Sequence, residues 1–235
     1  SYLEQRWGVW SAMGGTGSIV KGMAGLIEGQ GGKIECNAEV EEILVENGNA
    51  KGVRLRDGRV LHSDLIVSNA DAAWTYRHLI DARHRKLWTD RKIERSHYSN
   101  GLFVWYFGTQ GKYEDVPHHS VILGPRYRGL LDDIFKRKVL ADDFSLYLHR
   151  PTETDPSMAP EGCDAFYALA PVPHLDADVD WTEYADRFRQ RSCQRLEDTM
   201  LPGVSDRIVT SRLLTPQDFQ DRLCSFKGAG FSFEP

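Results

Sequence analysis

Residues 40–71 read VEEILVENGNAKGVRLRDGRVLHSDLIVSNAD, and this stretch decides the fold. Apolar and polar residues alternate around Ile43, Val53 and Val60, and the dipeptides Asn47-Gly48 and Asp57-Gly58 separate the alternating runs. Asn-Gly and Asp-Gly accept the positive φ angles of two-residue hairpin turns. The stretch therefore predicts a three-stranded antiparallel meander, with residues 34–40 opening its first strand.

The segments on either side of the meander have different patterns. Asp64 to Ser68 is nearly all apolar, as expected of a parallel strand buried on both faces. Upstream, GGTG at 14–17 opens a run with helical period through Ile27, which ends at a glycine-rich breaker, residues 29–32. Helix, meander and buried strand, in this order, suit an α/β unit of the dinucleotide-binding, Rossmann-like type in which a small sheet replaces the crossover.

The pattern changes near residue 75, where we place a domain boundary. Helices are predicted at 72–95, 130–140, 182–200 and 215–219, and strands at 99–107, 144–148, 165–170 and 205–214. Residues 231–235, FSFEP, alternate as in a further strand. The fold class is therefore α/β over residues 1–75, followed by α+β over residues 76–235.

Composition narrows the function classes. The chain has 235 residues, of which 41% are hydrophobic and 27% charged, as is typical of a folded globular protein. Its net charge of −5 gives no broad electrostatic attraction for nucleic acid. The four cysteines are far apart, as expected of reduced thiols in a cytosolic protein. The chain starts without Met and stops within an alternating run, so we expect a piece of a longer protein.

Three motifs are candidates for chemistry. Gly14 and Gly15 precede a helix, whose free amides could hold a phosphate, although the motif taken alone is more typical of a tight turn that lets the helix pack closely. The pair His118-His119 has no third ligand at metal spacing, and we predict no metal site. The strand predicted at 99–107 is rich in aromatic residues and could belong to an ordinary core or line an apolar ligand cavity. If it lines a cavity, the predicted substrate contacts are Phe103, Trp105 and Phe107.

Ordered motifs across the chain resemble the bacterial-type phytoene desaturases of the carotenoid pathway, within the flavin amine oxidase-like superfamily. They are WGVW (7–10), GGTG (14–17), SNAD (68–71), LFVWYFG (102–108), GPRY (124–127), FSLYLH (144–149), APEGC (159–163), APVPHL (170–175) and TP with DF (215–219).

The resemblance implies FAD as cofactor. The FAD domain of such proteins is assembled from three separated stretches, and the resemblance assigns the middle one to residues 11–75, with the meander as an insertion. It places the backbone of Val40 against the adenine, and Ser68, Asn69 and Ala70 near the cofactor, with Gly14 and Gly15 as further cofactor contacts. Residues 76–235 resemble part of a mixed-sheet substrate domain.

The implied reaction is dehydrogenation of phytoene, in which the flavin supplies most of the reactivity and the protein supplies an apolar, water-free site. No acid or base is assigned. A lipid-dissolved substrate implies a cytoplasmic enzyme peripherally bound to membrane, for which residues 126–138 are the candidate interfacial helix. We expect the chain alone to be inactive. The alternatives are another carotenoid oxidoreductase, acting as a diapophytoene or hydroxyneurosporene desaturase or a carotenoid isomerase, and a non-catalytic apolar-ligand binding domain.

Overall fold

The computed structural model describes residues 2–233. The helices are α1 (Tyr2–Trp7), α2 (Thr16–Gly29), α3 (Ala72–Trp74), α4 (Asp90–Arg95), α5 (Tyr127–Asp132), α6 (Trp181–Thr199) and α7 (Pro216–Leu223). The strands are β1 (Val40–Glu46), β2 (Asn49–Leu55), β3 (Val60–His62), β4 (Gly101–Gln110), β5 (His119–Ile122), β6 (Leu146–His149), β7 (Cys163–Val172) and β8 (Ile208–Leu214). None of the helices within this range is long and apolar enough to cross a bilayer.

Strands β1, β2 and β3 form the predicted antiparallel meander. Asn47 and Gly48 turn the chain between β1 and β2 with φ angles of 50° and 79°, and Gly58 has a φ angle of 88° before β3. These are the left-handed conformations for which Asn-Gly and Asp-Gly were expected. The first strand is shorter than predicted, because residues 34–39 lie outside it.

Helix α2 confirms the helix predicted after the glycine turn. It ends where Gly31 takes a φ angle of 82° and the N–H of Gly32 donates to the carbonyl of Ile27. The strand predicted at 64–68 is wrong: this segment is extended without a ladder, and Leu65 and Val67 are 76% and 82% exposed. A strand requires a hydrogen-bonded neighbour, and residues 2–233 supply none for this segment.

The larger sheet has five strands in the order β5-β6-β7-β4-β8. All four of its ladders are antiparallel, which corrects the expected mixed sheet for the described part of the chain. The strand order places β5 and β8 at the edges of the sheet. The longest ladder joins two interior strands, β4 and β7. Strand β5 was not predicted from the sequence.

Helix α6 covers one face of this sheet and closes the main core. Asp180 caps its N-terminus by accepting from the amide of Thr182 at 2.9 Å. Its inward side chain Phe188 lies edge-on to Phe103, with ring centroids 4.8 Å apart. The helix therefore determines which face of the sheet is available for a ligand.

Several predicted helices differ in length. The helix expected at 72–95 is split into α3, a π-helical turn (Thr75–Leu79), a 3₁₀ turn (Ala82–His84) and α4. Helix α5 continues as a π-helical turn, Asp133–Arg137. The predicted strand at 231–235 contributes a bridge between Phe233 and Tyr98, and residues 234 and 235 lie outside the described residues. The domain boundary near residue 75 stays a prediction.

Candidate functional site

One row of side chains crosses the face of the larger sheet opposite helix α6. The registers pair His119 with His149, His149 with Tyr167, Tyr167 with Tyr106, and Tyr106 with Arg212, one residue from each of the five strands. Directly opposed residues of neighbouring strands point to the same face. We call the first four residues the aromatic row.

The rings of the aromatic row follow one another closely. Their centroids are 5.2 Å apart for His119 and His149, 4.7 Å for His149 and Tyr167, and 5.6 Å for Tyr167 and Tyr106. Tyr147 of β6 also packs on Tyr167, at 5.6 Å. The row is therefore a nearly continuous aromatic surface.

Two openings lie along this surface. The walls of a cleft of about 290 Å³ include Tyr167 and three histidines, His118, His119 and His149. The walls of an apolar groove of about 360 Å³ include Tyr106. Met158 lines both openings. The cleft and the groove are thus neighbouring parts of one elongated depression.

The glycine turn before α2 lies against the cleft. The amide of Gly14 donates to Oδ2 of Asp155 at 2.5 Å, and a Cβ on Gly15 would come within 2.9 Å of the Cε atom of Met158. Both glycines have positive φ angles, 78° and 74°. Glycine is required here for backbone conformation and, at Gly15, also for close approach.

A buried ion pair holds the loop that carries Asp155. Arg150 follows His149 directly, and its Nε atom donates to Asp164 at 3.1 Å, while its Nη1 atom donates to the carbonyl of Val116 at 2.8 Å. Thr152 donates to the other oxygen of Asp164 at 2.7 Å. A buried charge needs such partners, so this network fixes the exit of β6 beside the cleft.

The structure corrects the prediction that His118 and His119 lack a third partner. Nε2 of His118 lies 2.7 Å from Nε2 of His149, and one ring nitrogen from each of the three histidines lies within 4.8 Å of the others. Sequence spacing could not reveal this group, because the pairing of β5 with β6 brings His149 to His119 across 30 residues.

Burial governs protonation in the cleft. Burial, together with the positive charge that His118 and His119 would carry, lowers the pKa of His149 to about 4. Burial also raises the pKa of the Tyr167 hydroxyl, and contact with Tyr147 raises it further. At neutral pH the imidazole of His149 and the hydroxyl of Tyr167 are therefore both uncharged.

The predicted substrate contacts lie on the other face. Phe103, Trp105 and Phe107 belong to the main core beneath α6, where their exposed fractions are 3% or less. Alternation in β4 places these side chains on the face opposite Tyr106, although Phe107 also lines the apolar groove. Their role as substrate contacts stays a prediction. On the other face, Tyr106 lines the groove, and Tyr147, His149 and Tyr167 are among the residues that line the cleft.

The predicted flavin contacts are distributed over two regions. Val40 begins β1, Asn69 and Ala70 are exposed, and Ser68 shares a hydrogen bond of 2.9 Å with Thr75. Within residues 2–233 no hydrogen bond joins them to Gly14 or Gly15.

The glycine turn fits part of a cofactor site. Helix α2 has no side-chain cap at Gly15, so the amides of Thr16 and Gly17 are open to a ligand, whereas the amide of Ser18 donates to the carbonyl of Gly15 at 3.0 Å. Asp155 already accepts from the amide of Gly14, which disfavours a phosphate at that atom. The open first turn and the exposed segment 68–70 are both compatible with a flavin nucleotide.

Comparisons with known proteins bear on the family of this chain. The family model described as flavin-containing amine oxidoreductase matches residues 1–166. The phytoene desaturase (neurosporene-forming) of Cereibacter sphaeroides is 51% identical, over 100% of this chain and 46% of its own length. The phytoene desaturase (lycopene-forming) of Pseudescherichia vulneris is 48% identical, over 99% of this chain and 48% of its own length. The chain thus spans about half the length of these curated relatives.

Solved structures support the fold. An oxidoreductase from Methanosarcina mazei aligns with 86% of this chain and 43% of its own chain, with a TM-score of 0.61 and 21% identity. A reduced UDP-galactopyranose mutase aligns with 86% of this chain and 38% of its own, with a TM-score of 0.56 and 14% identity. Together with the family match over residues 1–166, these findings establish that the chain belongs to the flavin-containing amine oxidoreductase family.

Proposed function

We propose that this chain is part of an FAD-dependent desaturase that dehydrogenates phytoene. Support comes from relatives of that name at 48% and 51% identity over nearly the whole chain. A 4,4'-diapophytoene desaturase of Methylomonas is 35% identical, so that alternative among carotenoid oxidoreductases has weaker support. The family match to flavin oxidoreductases disfavours a non-catalytic binding domain.

The observation that carries the proposal is the aromatic row. The row crosses three gaps between four strands, each about 4.8 Å, so it extends over about 14 Å, which suits a segment of a long, flat hydrocarbon. The rings of His149 and Tyr167 are uncharged at neutral pH, and the row offers the faces of its rings to a ligand. Tyr106, Tyr167 and Tyr147 would hold the polyene against the sheet and exclude water from it.

A flavin would lie next to this surface. Backbone atoms at Gly14, Gly15 and Val40, together with Ser68, Asn69 and Ala70, are the groups of this chain proposed to hold FAD. When bound, FAD supplies the acceptor for the hydride that leaves the substrate. The contact of Gly14 with Asp155 would set the glycine turn relative to the aromatic row.

We further propose that the enzyme is cytoplasmic and binds membranes peripherally, and helix α5 with the following turn supports the membrane binding. Tyr127, Leu131 and Phe135 recur every four residues and are 51%, 36% and 41% exposed, so they form one apolar stripe. Ile134 does not belong to the stripe, because it is buried with Leu130 and Ala141. Such a stripe beside basic side chains suits an interfacial helix.

The experiment is a segment exchange in the Cereibacter sphaeroides relative. The chain replaces the matching segment, and the hybrid is produced in a bacterium that accumulates phytoene. Conversion to coloured polyenes, measured by chromatography, is the expected result. Untouched phytoene in cells that contain folded, flavin-loaded hybrid would contradict the proposal, and the relative without the exchange is the positive control.

A further inference from the structure

The group of His118, His119 and His149 has the composition of a metal site. Neutral imidazole is a common ligand for divalent transition metals, and three such ligands with an open fourth position can bind Zn²⁺. One ring nitrogen from each residue already lies within 4.8 Å of the other two. Two Zn²⁺–N bonds of about 2.0–2.1 Å hold their nitrogens about 3.3 Å apart, so small ring rotations would suffice.

The surroundings orient two of the three rings. Nδ1 of His118 lies 2.5 Å from the hydroxyl of Thr154, and Nδ1 of His119 lies 2.6 Å from the hydroxyl of Tyr147. A hydrogen bond at one ring nitrogen fixes the ring and leaves the other nitrogen free to act as ligand, as in known metal sites. Thr154 and Tyr147 thus have the positions of outer-shell partners.

The third ring carries an unsatisfied atom. Nδ1 of His149 is buried and has no hydrogen-bond partner within residues 2–233. Buried polar atoms are normally satisfied, and a nearby ion or water is among the usual reasons for an exception. The other nitrogen of this ring, Nε2, is the one that lies against His118, so Nδ1 does not orient the third ring as Nδ1 does in the other two, and Nε2 is available as a ligand.

We propose that His118, His119 and His149 bind one divalent transition-metal cation of the Zn²⁺ class. The cation joins edge strand β5, strand β6 and the residue before β5 at one point, so it fastens the outer edge of the larger sheet. Its fourth coordination position faces the cleft, whose walls include all three histidines. This site requires neither flavin nor phytoene, so its test is independent of the proposed function.

The test uses the 235-residue chain after treatment with a chelator. Isothermal titration with Zn²⁺ should give one equivalent bound, and Zn²⁺ should raise the melting temperature, since binding to the folded state alone stabilises it. Co²⁺ should give the absorption bands of a low-coordinate nitrogen site. His149→Gln should weaken Zn²⁺ binding by about 100-fold or more. Loss of an outer-shell partner typically weakens metal binding by about 10- to 100-fold, and loss of a direct ligand should cost at least as much.

Two further variants protect the interpretation. His84→Gln removes an exposed histidine outside the cluster and should leave Zn²⁺ binding unchanged. His119 is the most exposed residue of the cluster, so His119→Gln should preserve the fold even if His149→Gln does not. It should also abolish tight Zn²⁺ binding. Absence of Zn²⁺ binding to the wild-type chain, or equal affinity in folded His119→Gln, would overturn the proposal.

Discussion

The backbone amide of Gly14 donates a hydrogen bond to Oδ2 of Asp155 across 141 residues, at 2.5 Å. This contact joins the glycine turn before α2 to the loop after β6, and so links the part of the chain with a dinucleotide-type pattern to the aromatic row. The side-chain hydrogen bond from Ser157, with the amide of Gly14, holds the pKa of Asp155 below its usual value. The carboxylate is therefore ionised at neutral pH.

Removing this acceptor should release the glycine turn. In Asp155→Ala, the amide of Gly14 loses its partner, and we expect faster hydrogen exchange at residues 12–18 while the strands of the larger sheet remain protected. Asp155→Asn is the matched control, because its carbonyl oxygen can still accept from Gly14. Equal exchange of the turn in the alanine variant and the wild type would contradict this role.

The two faces of β4 should respond differently to truncation. Phe103 is buried between the sheet and α6, so Phe103→Ala should reduce the free energy of unfolding by about 3–5 kcal/mol. Tyr106 is 44% exposed, and Tyr106→Ala should cost about 1 kcal/mol or less. Urea unfolding measures both changes, and comparable losses at the two positions would contradict the assignment of faces.

These two residues also show why the sequence predicts the strand correctly but does not distinguish its two faces. Alternation in β4 separates Phe103, Trp105 and Phe107 from Tyr106, yet apolar and aromatic residues fill both sets. Leu102 and Val104, on the face of Tyr106, are buried as well, and only packing against α6 assigns Phe103, Trp105 and Phe107 to the main core. By contrast, the meander depends on local turn chemistry at Asn47-Gly48 and Asp57-Gly58, and it was predicted correctly.

The histidine cluster and segment 64–68 show the same limit for long-range pairing. His149 reaches His118 and His119 only through the register of β5 with β6, which no local pattern encodes. The apolar run from Leu65 to Val67 was read as a buried strand, but burial requires neighbouring strands that the described residues do not provide. In both cases the missing information was the identity of a partner strand.

Acid should destabilise the chain through His149. Its folded pKa of about 4 is below the unfolded value of about 6.5, so the unfolded state binds more protons between these values. The contribution of His149 to stability is complete above about pH 6.5 and is lost as the pH falls towards 4. His118, His119, Tyr147 and Tyr167 face this ring.

The measurement is urea unfolding at several pH values in the presence of a chelator. His149→Gln should lose less stability than the wild type between pH 6.5 and pH 4, and His84→Gln should behave as the wild type. An identical acid response in folded His149→Gln and the wild type would show that the ring is not held neutral by burial.

Membrane binding should depend on the stripe formed by Tyr127, Leu131 and Phe135. Replacing Leu131 and Phe135 together with serine removes exposed apolar surface, so a smaller fraction of the hybrid protein should float with anionic liposomes. Ile134 is left intact because it is part of the core. Val209→Ser, an exposed change on edge strand β8, is the control and should float as the wild type. Unchanged flotation of the double variant would exclude this surface.

The most direct test of the proposed activity is phytoene consumption by the purified hybrid enzyme, in which this chain replaces the matching segment of the Cereibacter sphaeroides relative. With FAD and liposomes that contain phytoene, the substrate should disappear as absorption bands of conjugated polyenes develop, and omission of FAD should prevent both changes. Tyr106→Ala and Tyr167→Ala should slow the conversion although the protein stays folded. A folded, FAD-loaded hybrid that leaves phytoene unchanged would contradict the proposal that this chain builds the substrate face of a phytoene desaturase.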